Sequence, residues 1–207
     1  MATTERTVRM VWHGPVSQFL QDPTLFIDLE GALNSGKTTV CLWKVRTSTI
    51  DHLGIWWWIG RFGDGDTQTK LRPAWERVCH ESGLTDIQRR WNAREMCYEL
   101  PGESRVFCFG IKAQDQVSRY AKLRGLGLSG IYNDQTEELP HDVYLQLLGR
   151  LRQPGHPHQV LLSPNPPDEN HWLAKEFPED NRDADHKYYA VSVYDNAHNL
   201  APETIQT

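Results

Sequence analysis

The sequence predicts an α/β protein with a mainly parallel central sheet and helices packed on both of its faces. Three observations lead there. Short strand-like runs such as "LFIDLEG", "GIWWWIG" and "GIYND" alternate with longer segments of helical character. "GIWWWIG" carries three consecutive tryptophans, which a strand can bury when helices cover both of its faces. A glycine-bracketed turn joins the first strand-like run directly to the first helix, as in a strand–loop–helix unit.

The elements follow in order. Residues 1–24 are mixed and read as a partly irregular lead-in. Residues 25–31, "LFIDLEG", form a strand ending at glycine, and residues 36–50 form a helix that bears some β-branched cost. Residues 54–62 are a second strand, too short and aromatic for a helix, and "GDGD" is a turn. "TKLRPAWERVCHESG" is helical, with Pro73 tolerated near its first turn and Gly83 as its stop. Residues 94–111 are two alternating runs around Pro101–Gly102, a hairpin signal. "DQVSRYAKLRG" is a short helix or loop, "LSGIYND" a strand, and "PHDVYLQLLGRLRQPG" a helix opened by Pro140 and closed by Pro154–Gly155. "HQVLLSPNPP" is a strand closed by prolines, "NHWLAKEF" a short helix, and residues 186–195 a last strand.

Bulk composition bounds the function. The 207 residues are 39% hydrophobic and 24% charged, enough for one domain with a sizeable core. A net charge of −5 excludes a global basic field, so any contact with DNA is local or made by parts not in this sequence. Cys41, Cys79, Cys97 and Cys108 are widely spaced without a C-x-x-C pair, which argues for reduced core thiols in a cytosolic protein and against zinc. The longest apolar run is far too short to span a bilayer, and the N-terminus carries no signal-peptide pattern. The sequence contains no internal repeat.

"GALNSGKTT" carries the chemistry. It fits G-x-x-x-x-G-K-[ST] through Gly31, Gly36, Lys37 and Thr38. The glycines let the backbone curl so that its N–H groups, through Asn34, Ser35 and Thr39 as well, face phosphates. Lys37 reaches the β- and γ-phosphates, and the Thr38 hydroxyl ligates magnesium. The helix that follows adds its positive end. About a hundred residues on, Asp134 ends a strand as a magnesium-holding acid does. With another strand between the two motifs in sequence, the expected fold is a P-loop NTPase of the recombinase- or helicase-like, additional-strand type. The neighbour of Asp134 is Gln135, which can orient water but cannot take its proton. A helical turn after Asp134 would bring Glu138 to the same side, so Glu138 is the expected base and Glu137 the second choice.

Together, "GALNSGKTT", "LRGLGLSGIYNDQTEELP", "LLGRLRQPG", "LLSPNPP", "NHWLAKEF" and "YDNAHNL" resemble, in order, the ATPase domain of the large terminase subunit, the DNA-packaging motor of tailed bacteriophages. The resemblance covers most of residues 25–200, and residues 123–177 are its specific part. It implies Mg2+-dependent ATP hydrolysis that drives double-stranded DNA into a procapsid. The implied partners are DNA, the small terminase subunit, the portal protein and further copies in a ring, in the host cytoplasm and without a membrane. It implies a coupling role for Ser163 and Asn165, with Pro166 between hydrolysis and movement, and an adenine contact from Gln18 in the lead-in of residues 1–24. Residues 25–207 would then be the ATPase domain, and the nuclease domain of whole large terminases is expected to be absent, leaving the motor half as an expressed fragment. Two departures stand out. Many family members carry an Arg inside the phosphate loop, where this sequence has Ala32, Leu33 and Asn34, and Glu is usual where it has Gln135. The missing charge assigns Arg124 as an arginine finger acting across a subunit boundary, with Arg150 and Arg152 as runners-up. The alternatives are a helicase-like DNA translocase and a nucleotide-binding regulatory module that does not hydrolyse.

The remaining features have plainer readings. Trp56, Trp57 and Trp58 are expected in the core rather than stacked on bases, residues 178–186 form a solvated acidic loop rather than a metal site, and "HPH" at 156–158 is an exposed loop.

Overall fold

A computed structural model describes residues 14–112, 123–179 and 184–199. One eight-stranded sheet organises them: β1 (Phe26–Gly31), β2 (Trp56–Gly60), β3 (Trp91–Asn92), β4 (Cys97–Glu99), β5 (Arg105–Cys108), β6 (Gly130–Asp134), β7 (Gln159–Ser163) and β8 (His186–Val191). Their order across the sheet is β3-β4-β5-β2-β6-β7-β1-β8. The run from β5 to β8 is parallel throughout, and β4 and β3 extend it antiparallel at one edge. The helices are α1 (Gly14–Gln21), α2 (Lys37–Asp51), α3 (Asp64–Asp66), α4 (Arg72–Glu81), α5 (His141–Leu148) and α6 (Trp172–Glu176).

The two faces of the sheet bury separate apolar clusters. Ile27 and Leu29 of β1 join α2 and α4 on one face. Ile131, Val160 and Leu162 join α5 and α6 on the other. The tryptophan run divides between them, because successive strand residues point to opposite faces: Trp57 enters the first cluster, Trp58 the second, and both are fully buried. Their rings lie over glycines, one on the neighbouring β6 and one on β2 itself. A Cβ on Gly130 would stand 2.0 Å from the Trp57 ring, and one on Gly60 2.2 Å from that of Trp58. The indole N–H groups donate to Ser48 Oγ and to the Phe109 carbonyl. Trp56 is half-buried, packs edge-on to Phe107 and has the Arg105 guanidinium over its ring.

The elements agree with the sequence reading at most points and differ at several, among them the helix after Pro140, which stops at Leu148. The lead-in contains a helix: α1 buries Val16 and Phe19, and Lys44 from α2 donates to the carbonyls of Phe19, Leu20 and Asp22 at its C-terminal end. Burial depresses the Lys44 pKa to about 8. "GDGD" does not close a turn but opens a helical segment that runs through a π-helical stretch, Thr67–Leu71, into α4. Pro73 follows that stretch, where the regular i→i−4 ladder is already interrupted. β3 is an added edge strand, and the last strand stops at Val191, after which Val193–Asn199 form a 3-10 helix. "DQVSRYAKLRG" lies largely outside the described residues, as does part of the acidic loop at 178–186. All four cysteines are buried and free. Among the described residues, no helix is long and apolar enough to cross a membrane, and no group of three His, Cys, Asp or Glu could hold a metal.

Candidate nucleotide site

The C-terminal ends of β1, β6 and β7 meet at a cleft of about 250 Å3. Residues 31–38 curl between β1 and α2. Asn34 and Gly36 take left-handed backbone conformations, φ 65° and 85°, and at Gly36 only glycine does so without strain. α2 begins at Lys37 with no side chain capping its first N–H groups, so these donors and the helix dipole point into the cleft. The buried Ser35 Oγ likewise has no partner of its own. The cleft is lined by residues 32–39 with Arg61, Asp134, Gln135, Ser163 and Asn165.

Lys37 is folded onto its own loop. Its ammonium donates to the carbonyls of Gly31 and of Ala32 (3.0 Å) and lies 3.4 Å from Asn165 Oδ1. Burial lowers its pKa, against the pull of Asp134 and Glu137. Thr38 Oγ1 donates to Asp134 Oδ1 at 2.8 Å. The same oxygen accepts from Tyr132 and Ser163, each at 3.0 Å. Burial pushes the Tyr132 pKa well up, which keeps its hydroxyl a donor. Arg61 engages the other oxygen, Oδ2, through Nε at 2.8 Å and Nη2 at 2.5 Å. A hydroxyl beside a carboxylate is the hard-oxygen donor set that magnesium takes, so Thr38 and Asp134 fit that ion.

Past Asp134 the chain departs from a simple helical turn. Gln135 is left-handed (φ 58°, ψ 55°), and Thr136–Glu138 form a single 3-10 turn. Thr136 points inward, its hydroxyl donating to the Asn133 carbonyl and accepting from Ser163 N. Glu137 then faces the segment leaving β7: its carboxylate accepts from Asn165 N at 3.0 Å and Asn165 Nδ2 at 2.6 Å. Glu138, the expected base, stands at the surface, outside the residues that line the cleft. The left-handed residue re-aims the turn, and Glu137 is the acid brought toward Lys37.

Other candidates stand elsewhere. Gln18 is exposed on α1 and does not line the cleft. Arg124 is exposed in the turn before β6 and is not among the residues that line the cleft. Arg150 and Arg152 belong to the segment that pairs with Leu128, at the end of β6 opposite Asp134. Sequence reasoning missed Arg61 and Tyr132. Tyr132 could have been found from its period-2 relation to Asp134, which puts both side chains on one face of β6. Arg61 lies one residue past β2, and only the pairing of β2 with β6 makes it a neighbour of Asp134.

In the sheet, β7 stands between the phosphate-loop strand β1 and the acid-bearing strand β6. The intervening strand is thus the one carrying Ser163, while β2 lies beyond β6. This fold and cleft define a P-loop NTPase of the additional-strand type. A family model described as phage terminase large subunit matches residues 68–207, starting beyond the phosphate loop. The chain belongs to the phage terminase large subunit family. Among solved structures, the large terminase of a thermophilic bacteriophage superposes with a TM-score of 0.75 at 15% identity, over 95% of this chain and 49% of that one. The same protein in complex with ATP-gamma-S gives 0.64 at 18% identity, over 93% and 44%. The Thermus phage P74-26 large terminase ATPase domain gives 0.60 at 14% identity, over 93% and 90%. The chain spans about half the length of the first of these terminases. No curated protein matches the sequence.

Proposed function

We propose that this chain is the ATP-hydrolysing motor segment of a phage DNA-packaging terminase, cleaving the β–γ bond by in-line attack of water to drive double-stranded DNA into a procapsid. The observation that carries the reading is the Thr38–Asp134 pair, 2.8 Å apart at the start of α2 and across β7 from the phosphate loop. Magnesium bound there would neutralise charge on the β- and γ-phosphates. The uncapped N–H groups of α2 and the loop would hold the phosphate oxygens. Lys37 would exchange its carbonyl partners for phosphate and stabilise the charge that develops on the transferring group.

Glu137 is the proposed general base, with Gln135 orienting the water. Asn165 supports this reading, since it joins Glu137 to Lys37 and thereby links the acid to the phosphate loop. Through the same contacts, Ser163 and Asn165 would report the state of the γ-phosphate to β7, a coupling role. The contacts with the small subunit, the portal and a ring of copies are proposed from the family alone. In such a ring, Arg124 is the proposed arginine finger, acting on a neighbouring copy's cleft. A regulatory module that does not hydrolyse is separated from this reading by one comparison: phosphate release by the chain against Lys37→Ala. A loss of at least about a hundredfold with the fold retained is expected, since one removed charge-stabilising donor typically costs that much. Equal turnover by the two would refute the assignment.

A further inference from the structure

Asp134 is held by a cation that the nucleotide motifs do not contain. Both Arg61 contacts converge on Oδ2, while three hydroxyls occupy Oδ1. A buried charge is costly unless it is paired, and the Arg61 guanidinium pairs Asp134, which is only 2% exposed. A magnesium ion, or the water it carries, would approach the same carboxylate from the Thr38 side, and a guanidinium in close contact with its Oδ2 repels a second cation from the group. Arg61 and the metal are therefore competitors for Asp134. Arg61 also lines the cleft beside residues 32–39, and its backbone is anchored by a bond from its N–H to Thr67 Oγ1 at 2.9 Å. The side chain can turn while its origin stays fixed. Lys37 has the same posture, with its ammonium placed on loop carbonyls. Among the described residues that line the cleft, both cations are thus held by the protein's own acceptors. The loop adds no other positive charge, and its tip carries the exposed Leu33 instead.

We propose that Arg61 is the second phosphate-binding cation of this cleft, stowed on Asp134 until metal nucleotide binds and then transferred, within the same chain, to the phosphate oxygens. The proposal rests on the hydrolysis reading above. It assigns to the end of β2 the charge that a phosphate-loop arginine would otherwise bring.

The test measures Mn2+ binding to the nucleotide-free chain by electron paramagnetic resonance, beside ATP turnover, for wild type, Arg61→Ala, Arg61→Gln and Arg61→Lys. Removing a charge-assisted competitor should tighten Mn2+ binding by about tenfold or more in Arg61→Ala and Arg61→Gln. Turnover in the same two variants should fall about a hundredfold. A loosened fold would lower both quantities, so opposite movements distinguish the proposal from a structural role. Arg61→Lys keeps the charge without the fork, and its Mn2+ affinity should stay near that of wild type. Arg61→Gln retains a neutral donor toward Asp134 and serves if Arg61→Ala does not fold. Unchanged or weaker Mn2+ binding in a folded Arg61→Gln would overturn the stowage. Tighter Mn2+ binding with undiminished turnover would overturn the transfer to phosphate. Wild-type turnover no higher than that of Lys37→Ala would overturn the hydrolysis reading itself, and the proposal with it.

Discussion

Glu137→Gln should cost turnover far more than stability. The carboxylate accepts two bonds from Asn165, one from its backbone N–H and one from its side-chain amide. Glutamine keeps the shape but presents one oxygen and one NH2, so one of those donors is left facing another donor. A hydrogen bond to a charged group is worth about 1.5–3 kcal/mol, and partial exposure of Glu137 to solvent puts the folding loss at or below the lower end of that range. Loss of a general base costs about a hundredfold to ten-thousandfold in turnover. The assay is steady-state phosphate release at saturating ATP, with ADP affinity and the unfolding midpoint measured on the same samples. Glu138→Gln is the control: its side chain is exposed, and turnover should stay within about twofold of wild type, as for surface changes away from the site. A folded Glu137→Gln that kept more than about a tenth of wild-type turnover would refute the reasoning, as would a greater loss in Glu138→Gln.

Asp28 and Lys44 offer two tests of the core around the site. Asp28 is fully buried beside β7 and β8, with one oxygen unpartnered, and burial followed by Glu30 raises its pKa well above the ordinary 3.8. A raised folded pKa stabilises the fold fully below the unfolded value and loses that stabilisation as pH rises through the folded one. Urea unfolding at a series of pH values upward from 3.8 should therefore show wild type losing stability relative to Asp28→Asn; a constant difference would contradict the assignment. Lys44→Met removes the donor to the three carbonyls that end α1 and should lower stability by about 1–3 kcal/mol, with proteolysis first cutting near residues 14–21. An unchanged urea midpoint would show that the Lys44 bonds do not hold α1 in place.

Whatever depends on contiguous residues was legible in the amino-acid order. The phosphate loop needs its glycines, lysine and threonine at set spacings in one stretch of chain, so its geometry is local and its chemistry readable. The burial of Trp57 and Trp58 on opposite faces follows from strand periodicity and from a parallel sheet covered on both sides. The end of β6 at Asp134 was equally visible. The rest depends on strand order and on one backbone angle, which long-range pairing sets. Arg61 is 73 residues from Asp134, and nothing local ties them; they meet because β2 pairs with β6. β7 lies between β1 and β6 because the parallel crossovers place it there, which brings Ser163 and Asn165 to the acid and the lysine. The choice between Glu137 and Glu138 rested on whether the chain continued helically past Asp134. The left-handed Gln135 redirects it, and non-glycine residues adopt that conformation only where surrounding contacts hold them, here the bond from Gln135 N–H to the Ser163 carbonyl and the inward Thr136.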